Sequence, residues 1–416
     1  MLTHLAHRAP GAVGRRWYWC AGWLACAAWA AVFPLDSSLG PHRSWGTVAA
    51  LGYLGAAVTV LLPSRGDARA RSAALALAAA AVLPLLLLAH TGAAQSEVGV
   101  IERSGSLLLH QLSPYLDAPR TVDEVTPYLP GMALLGLPRA LLGSRGPLAQ
   151  VAGDPRLWCA AVFLAALWAA HRLLRAAAPR GGRRRGAVPP GTALAALVAS
   201  PVVALPLAVS GVDLPLTGLL CLALALASVG RPGATGLVLA AACAMKWTCW
   251  PAVAVAVALL AATAGARAAA RCLALALLCT TALVLPAALL APGPMLDQVL
   301  AFPLGHGELR TEAASPFPGK LLADLGPAGW CAAVALLLLG GLAVAVSLVR
   351  RPPSDLVAAA DRLALGLATA FLLAPAGRFG YLALPAVLAV WSRLVPRPAL
   401  EPALPEQALR TRLSTV

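Results

Sequence analysis

Residues 72–90 read SAALALAAAAVLPLLLLAH, without one Asp, Glu, Lys or Arg. As a helix rising about 1.5 Å per residue, this run covers the roughly 30 Å hydrocarbon core of a bilayer. It has no polar face to turn to water, which excludes an amphipathic surface helix of a soluble domain. Similar runs lie near 17–35, 45–63, 156–171, 190–209, 213–229, 272–291, 327–349, 361–376 and 379–395. The stretch 234–264 is long enough for two short helices broken between Lys246 and Pro251. The whole chain agrees, with 416 residues at 60% hydrophobic, 12% charged and a mean hydropathy of +0.78. Soluble domains carry about 25% charged residues. The pattern predicts an all-α, polytopic integral membrane protein, one membrane-embedded domain over 1–416 with about twelve transmembrane helices.

The net charge of +15 does not indicate nucleic-acid binding, because no solvated basic face is available to carry it. It sorts instead by side of the membrane. With the N-terminus in the cytoplasm and spans alternating, 22 Lys and Arg fall inside and 10 outside, giving +17 against −2. This asymmetry is the positive-inside pattern. Its densest element is the arginine run from Arg172 to Arg185, and Arg350 and Arg351 act in the same sense beside anionic lipid. The apolar stretch 127–143 would put that run outside if it crossed. It therefore reads as a re-entrant or interfacial helix, consistent with Pro127, Pro130 and Pro138. The first apolar run follows Arg15 and Arg16 without a small-residue cleavage site, so it reads as a span and not a removed signal. Two lysines, one isoleucine and no asparagine reflect a GC-rich bacterial genome and leave no N-glycosylation sequon. The expected location is a bacterial plasma membrane, with both termini and the tail 396–416 cytoplasmic. All nine cysteines lie in apolar runs, where they read as small core residues.

Two long segments fall on the outer side, 91–155 and 292–326. Long connections among tight hairpins are where function concentrates. The first opens with Glu97 just past the end of a span, continues through Glu102, Arg103 and His110, and reaches Ser113-Pro114-Tyr115. After Asp117, Asp123 and Glu124 comes Pro127-Tyr128-Leu129-Pro130. The second has mixed charge, with His306, Glu308, Arg310, Glu312 and Lys320 among prolines, and reads as an extended cover over a site. Lys246, at membrane depth between two short helices, needs an anionic partner, a cavity or a route to the headgroups, since a charge there costs a few kcal/mol.

These residues resemble glycosyltransferase family 87, the actinobacterial polyprenyl-phosphate-mannose-dependent mannosyltransferases of the C-type membrane superfamily. Its first outer loop has an Asp, then Val, Gly, a Leu pair and Pro-Tyr, which align without gaps on Glu97, Val100, Gly105, Leu108, Leu109, Pro114 and Tyr115. A following Tyr-Pro-rich motif aligns on Tyr128, Pro130, Ala133, Leu134 and Leu135. Ser210-Gly211-Val212-Asp213, Ala244 to Pro251 and Gly377 to Tyr381 match further family turns. Glu97 stands in place of Asp, Ile101 of Tyr, Gln111 of Gly and Leu129 of Pro, and the loop follows the third span where the family places it after the first.

The resemblance implies an inverting hexosyl transfer, with mannose as the sugar, from a polyprenyl-phosphate donor to an outer-face glycan, glycolipid or glycoprotein. A carboxylate partly desolvated at the membrane surface is suited to take the acceptor proton, which makes Glu97 the candidate general base; otherwise it simply ends a span. Lys246, Arg378 and Arg103 are candidates for the donor phosphate, with headgroup anchoring as the other reading of each. Tyr115, Tyr128, Asp213 and His110 are candidate sugar or acceptor contacts, against interfacial placement of the tyrosines and histidine and helix capping by Asp213. Glu97, Asp117, Asp123 and Glu124 offer oxygen ligands of the type a divalent cation takes, but no spacing specifies a metal site. Two other readings stand beside transfer. A flippase of lipid-linked sugars should show paired repeats and midplane charges, and a catalytically inactive relative would act as an assembly partner.

Overall fold

The computed structural model describes residues 15–63, 66–179, 188–309, 311 and 313–396. Arginines 180–185, Arg310, Glu312 and all but the first residue of the tail 396–416 lie outside the described residues. The described chain is all-α, with an isolated bridge between Ala314 and Gly377. In lipid every backbone N–H and C=O must be satisfied within the segment, and helices achieve this.

Among the described residues the longer helices are α1 Arg16–Asp36, α2 Gly40–Leu61, α3 Ala68–Thr91, α4 Ser96–Gln111, α5 Pro155–Ala177, α6 Pro190–Ala199, α7 Pro201–Val209, α8 Leu214–Ser228, α9 Pro232–Cys243, α10 Trp247–Ala264, α11 Ala266–Leu290, α12 Pro327–Arg350, α13 Leu356–Leu373 and α14 Phe379–Leu394. Proline opens α5, α6, α7, α9 and α12. At the first helical position its missing N–H has no intrahelical partner to lose, and its fixed φ already suits the helix. Among the described residues eight helices are long and apolar enough to cross a bilayer, or nine if α6 and α7, bent by 56°, form one span. The helices α8, α9 and α14 are shorter, so an expected dozen is reached only by counting them as crossings. All nine cysteines are free; Cys159, Cys221, Cys243, Cys249 and Cys272 are buried, whereas Cys331 is exposed and so departs from the expected core role.

The stretch expected to be re-entrant is a 3-10 segment, Pro130–Gly136, passing into a single α-turn, Leu137–Leu142. It packs against α4 where two glycines meet: a Cβ on Gly136 would lie 2.0 Å from the Ile101 carbonyl oxygen, and one on Gly105 2.3 Å from the Gly136 carbonyl carbon. It also repairs the gap between α9 and α10. Leu129 and Gly131 donate their N–H groups to the carbonyls of Met245 (2.9 Å) and Ala244 (2.8 Å), so irregular backbone in one element satisfies irregular backbone in the other.

Arg156 fixes where this long segment starts and ends. Its side chain is fully buried, and Asp154, at 2% exposure, holds it through Nη2–Oδ2 at 2.6 Å and Nε–Oδ1 at 3.0 Å. The remaining terminal nitrogen donates to the carbonyls of Ala93 and Ala208, both at 2.9 Å. Residues 93 and 154 are therefore neighbours, and the chain between them leaves and returns at one end of the bundle. A buried guanidinium stripped of its carboxylate is an uncompensated charge. Asp154→Ala is expected to cost about 3–5 kcal/mol, measured as a fall in the melting temperature of the detergent-solubilised protein. An unchanged melting temperature would show that the pair is dispensable.

Candidate active site

Gln95 donates its N–H to the Val209 carbonyl (2.9 Å), and α4 begins at the next residue. Glu97 thus falls in the first helical turn, where the helix dipole favours a negative charge. Its Oε1 accepts a hydrogen bond from Nη1 of Arg378, 281 residues away in sequence. Its Oε2 is buried and has no hydrogen-bond partner. The carboxylate is therefore gripped on one side and unsatisfied on the other.

Arg378 owes its position to the second long segment. Gly377 donates to the Ala313 carbonyl and Ser315 donates back to the Gly377 carbonyl, both at 2.9 Å. The Phe379 N–H donates to Ser315 Oγ at 3.1 Å, and the Phe317 and Phe379 rings meet edge to face at 5.0 Å. The cover expected over 292–326 is, across 313–317, a strap fastened beside Arg378. Gln298, at 2% exposure, joins the two long segments: Oε1 accepts from the Thr126 N–H (2.9 Å) and Nε2 donates to the Leu116 carbonyl (2.7 Å).

A second ion pair lies beside the first. Lys246 Nζ donates to Asp213 Oδ1 at 2.7 Å and sits 5.0 Å from the Tyr381 ring centroid and 5.7 Å from that of Tyr128. Ring faces attract an ammonium more strongly as water is excluded, and the lysine side chain is only 15% exposed. Burial, followed by the nearby carboxylates of Glu97 and Asp213, pushes the Tyr128 phenol well above its ordinary range. It remains a neutral group between the two pairs. Two carboxylates, two cations and two phenol rings from five separate parts of the chain therefore meet at one end of the bundle. Such a set can orient a carboxylate as a proton acceptor while presenting two cations to a phosphate.

Of the candidates legible in sequence, Glu97, Lys246, Arg378, Asp213 and Tyr128 come together here. Asp213 makes no side-chain cap to α8, and its carboxylate serves Lys246. The other three lie elsewhere. Tyr115 is 1% exposed and donates its hydroxyl to the Tyr128 carbonyl at 3.0 Å; its ring is packed inside the protein and supports Tyr128 from below. Arg103 lies on the opposite face of α4, with Nη2 donating to the Asp123 carbonyl at 2.6 Å, so it is not placed to share a phosphate with Lys246. His110 is exposed in the last turn of α4, about 20 Å along the helix from Glu97. Among the described residues no three His, Cys, Asp or Glu side chains gather as a metal site. Glu124, one of the four candidate oxygen donors, is committed to a capping box, accepting from the Arg120 and Thr121 N–H groups. Those backbone donors hold its carboxyl below the usual range.

Tyr381, Gln298 and the Asp154–Arg156 pair were not singled out from sequence. Asp154-Pro155 is a legible helix start, and Tyr381 ends a turn already matched to a family motif, but their partners are distant in sequence. Comparison with family models, curated proteins and solved structures finds no match for this chain.

The Glu97–Arg378 contact can be measured by a double-mutant cycle on thermal stability with Glu97→Gln and Arg378→Gln. Contacting charged residues couple by about 0.5–3 kcal/mol. The lower end is expected because Arg378 is 34% exposed and solvent screens it. Additive effects would mean that the two side chains are not paired in the membrane.

Proposed function

We propose that the protein is an inverting membrane glycosyltransferase, taking a hexose from a polyprenyl-phosphate donor and placing it on a glycan, glycolipid or glycoprotein acceptor. The observation that carries this reading is the half-satisfied Glu97 carboxylate, one oxygen held by Arg378 and the other without a partner, beside two cations. Oε2 takes the proton of the acceptor hydroxyl. The acceptor oxygen attacks the anomeric carbon from the face opposite the phosphate, and the carbon–oxygen bond to phosphate breaks with its electron pair. Polyprenyl phosphate leaves with added negative charge, which Lys246 and Arg378 neutralise. One carboxylate suffices for an inverting displacement, in contrast to hydrolysis through two.

The ion pairs also suit the exchange of one counter-ion for another. Asp213 and Glu97 balance the two cations in a setting where bare charge is costly, and a phosphate can take over as their counter-ion. Arginine's planar fork and lysine's compact ammonium bind phosphate in complementary ways. Mannose as the sugar, a bacterial plasma membrane, cytoplasmic termini and an outward-facing site follow from the family resemblance and the charge asymmetry.

The test is transfer of radiolabelled mannose from polyprenyl-phosphate mannose in membranes carrying wild type or Glu97→Gln. A general base contributes about 10²–10⁴-fold, so the variant should lose transfer by that factor while still binding donor. Equal transfer by both proteins would remove Glu97 from the chemistry. Translocation of the lipid-linked sugar in liposomes without transfer would support a flippase instead.

A further inference from the structure

A cleft of about 530 Å³ opens along the other side of α4. Ser96, Gly99, Glu102 and Arg103, which recur at helical spacing with the last two adjacent, line it. Glu97 does not, and belongs with Ile101, Ser104 and Gly105 on the opposite face of the same helix. The volume lies within the range of small-ligand clefts, about 300–1,000 Å³.

The lining determines the class of ligand. Three carboxylates, Glu102, Asp123 and Asp154, face three guanidinium groups, Arg103, Arg139 and Arg156, so the wall has no net charge. Two of those cations are already committed: Arg156 to Asp154 and two carbonyls, and Arg139 to Glu102 (2.8 Å) and to the backbone at Gly143, Ala149 and Gln150. Neither an anion nor a cation finds a surplus of opposite charge here. The fixed carboxylates, amides and hydroxyls instead offer donors and acceptors side by side, which is what the hydroxyls of a neutral saccharide require.

Two further observations concern the residues along the cleft. Arg103 Nε is buried and has no hydrogen-bond partner, a state that buried donors seldom keep. Gly99 sits inside α4, where glycine is less stable than alanine, and a Cβ added there would meet nothing within 4 Å. Gly105 and Gly136 are required by close packing; Gly99 is exposed at the cleft, and a larger side chain there would project over it.

The geometry points to this cleft as a binding subsite for a neutral oligosaccharide, holding the acceptor sugars behind the one that reacts. The cleft reaches Ser96, next in sequence to Glu97, so a chain lying in it turns around the start of α4 to the carboxylate. The acceptor role rests on the glycosyl-transfer reading above; saccharide binding does not.

The experiment measures binding of α-1,6-mannotriose and maltotriose to the full-length protein in nanodiscs by saturation-transfer NMR, with inorganic phosphate as the anionic control. At least one trisaccharide should bind. Gly99→Leu, whose side chain projects over the cleft, should weaken that binding roughly ten-fold or more, and Glu97→Gln should leave it unchanged. Gly99→Ala, with a melting temperature at least that of wild type, separates filling of the cleft from unfolding. Binding of neither sugar, equal binding by Gly99→Leu, loss in Glu97→Gln, or displacement by phosphate would each overturn the inference. Trisaccharide binding without Glu97-dependent transfer retains the subsite and rejects only the catalytic reading; the reverse outcome rejects the subsite alone.

Discussion

The arrangement of the charged cluster depends on one buried guanidinium. Arg156 carries a full charge into the protein interior, where only complete pairing makes it tolerable. Asp154 supplies the charge partner, and the carbonyls of Ala93 and Ala208 complete the coordination. Each carbonyl belongs to a different strut of the site. Ala93 leads within four residues to Glu97, and Ala208 leads within five to Asp213. A single side chain thus sets the separation of the two acidic groups before either meets its own cation.

The second organising constraint is the scarcity of polar partners in lipid. The α9–α10 break and the Leu129–Gly136 stretch would each expose backbone, and each satisfies the other. Irregular backbone at membrane depth is stable only where protein or a cavity receives it. The same break is what places Lys246, extended at φ −154 and ψ 131, beside Asp213 instead of burying it along a helix. The defect in the helix and the charge in the site therefore have a common cause.

The spans were legible because hydrocarbon imposes a strong, local rule: about 20 apolar residues in a row. The broken helix at Lys246 and the irregular stretch near 130–142 were legible through their prolines. In the site, Glu97 and Lys246 stood out because charge is so rare in this chain. Pairing was not legible. Nothing local in sequence joins Glu97 to Arg378 or Lys246 to Asp213, and no periodicity shows that Tyr115 is packed inside while Tyr128 lines the charged cluster. Arg103 was misplaced because a helix has two faces, and proximity in sequence to Glu97 does not fix which one an arginine takes. Arg156 was invisible because an arginine beside a span ordinarily signals topology, not a buried bond.

The bridge between Ala314 and Gly377 has an energetic corollary. Arg378 is both the residue after the bridged Gly377 and the partner of Glu97, so a shift of the 313–317 strap that moves the Gly377 backbone also acts on the ion pair. Linkage is reciprocal: whatever draws the guanidinium off Glu97 loosens the 313–317 segment by the same free energy that loosening it would lend to the release. The backbone pairing at Gly377 and the ion pair at Arg378 are therefore held one residue apart on the same turn.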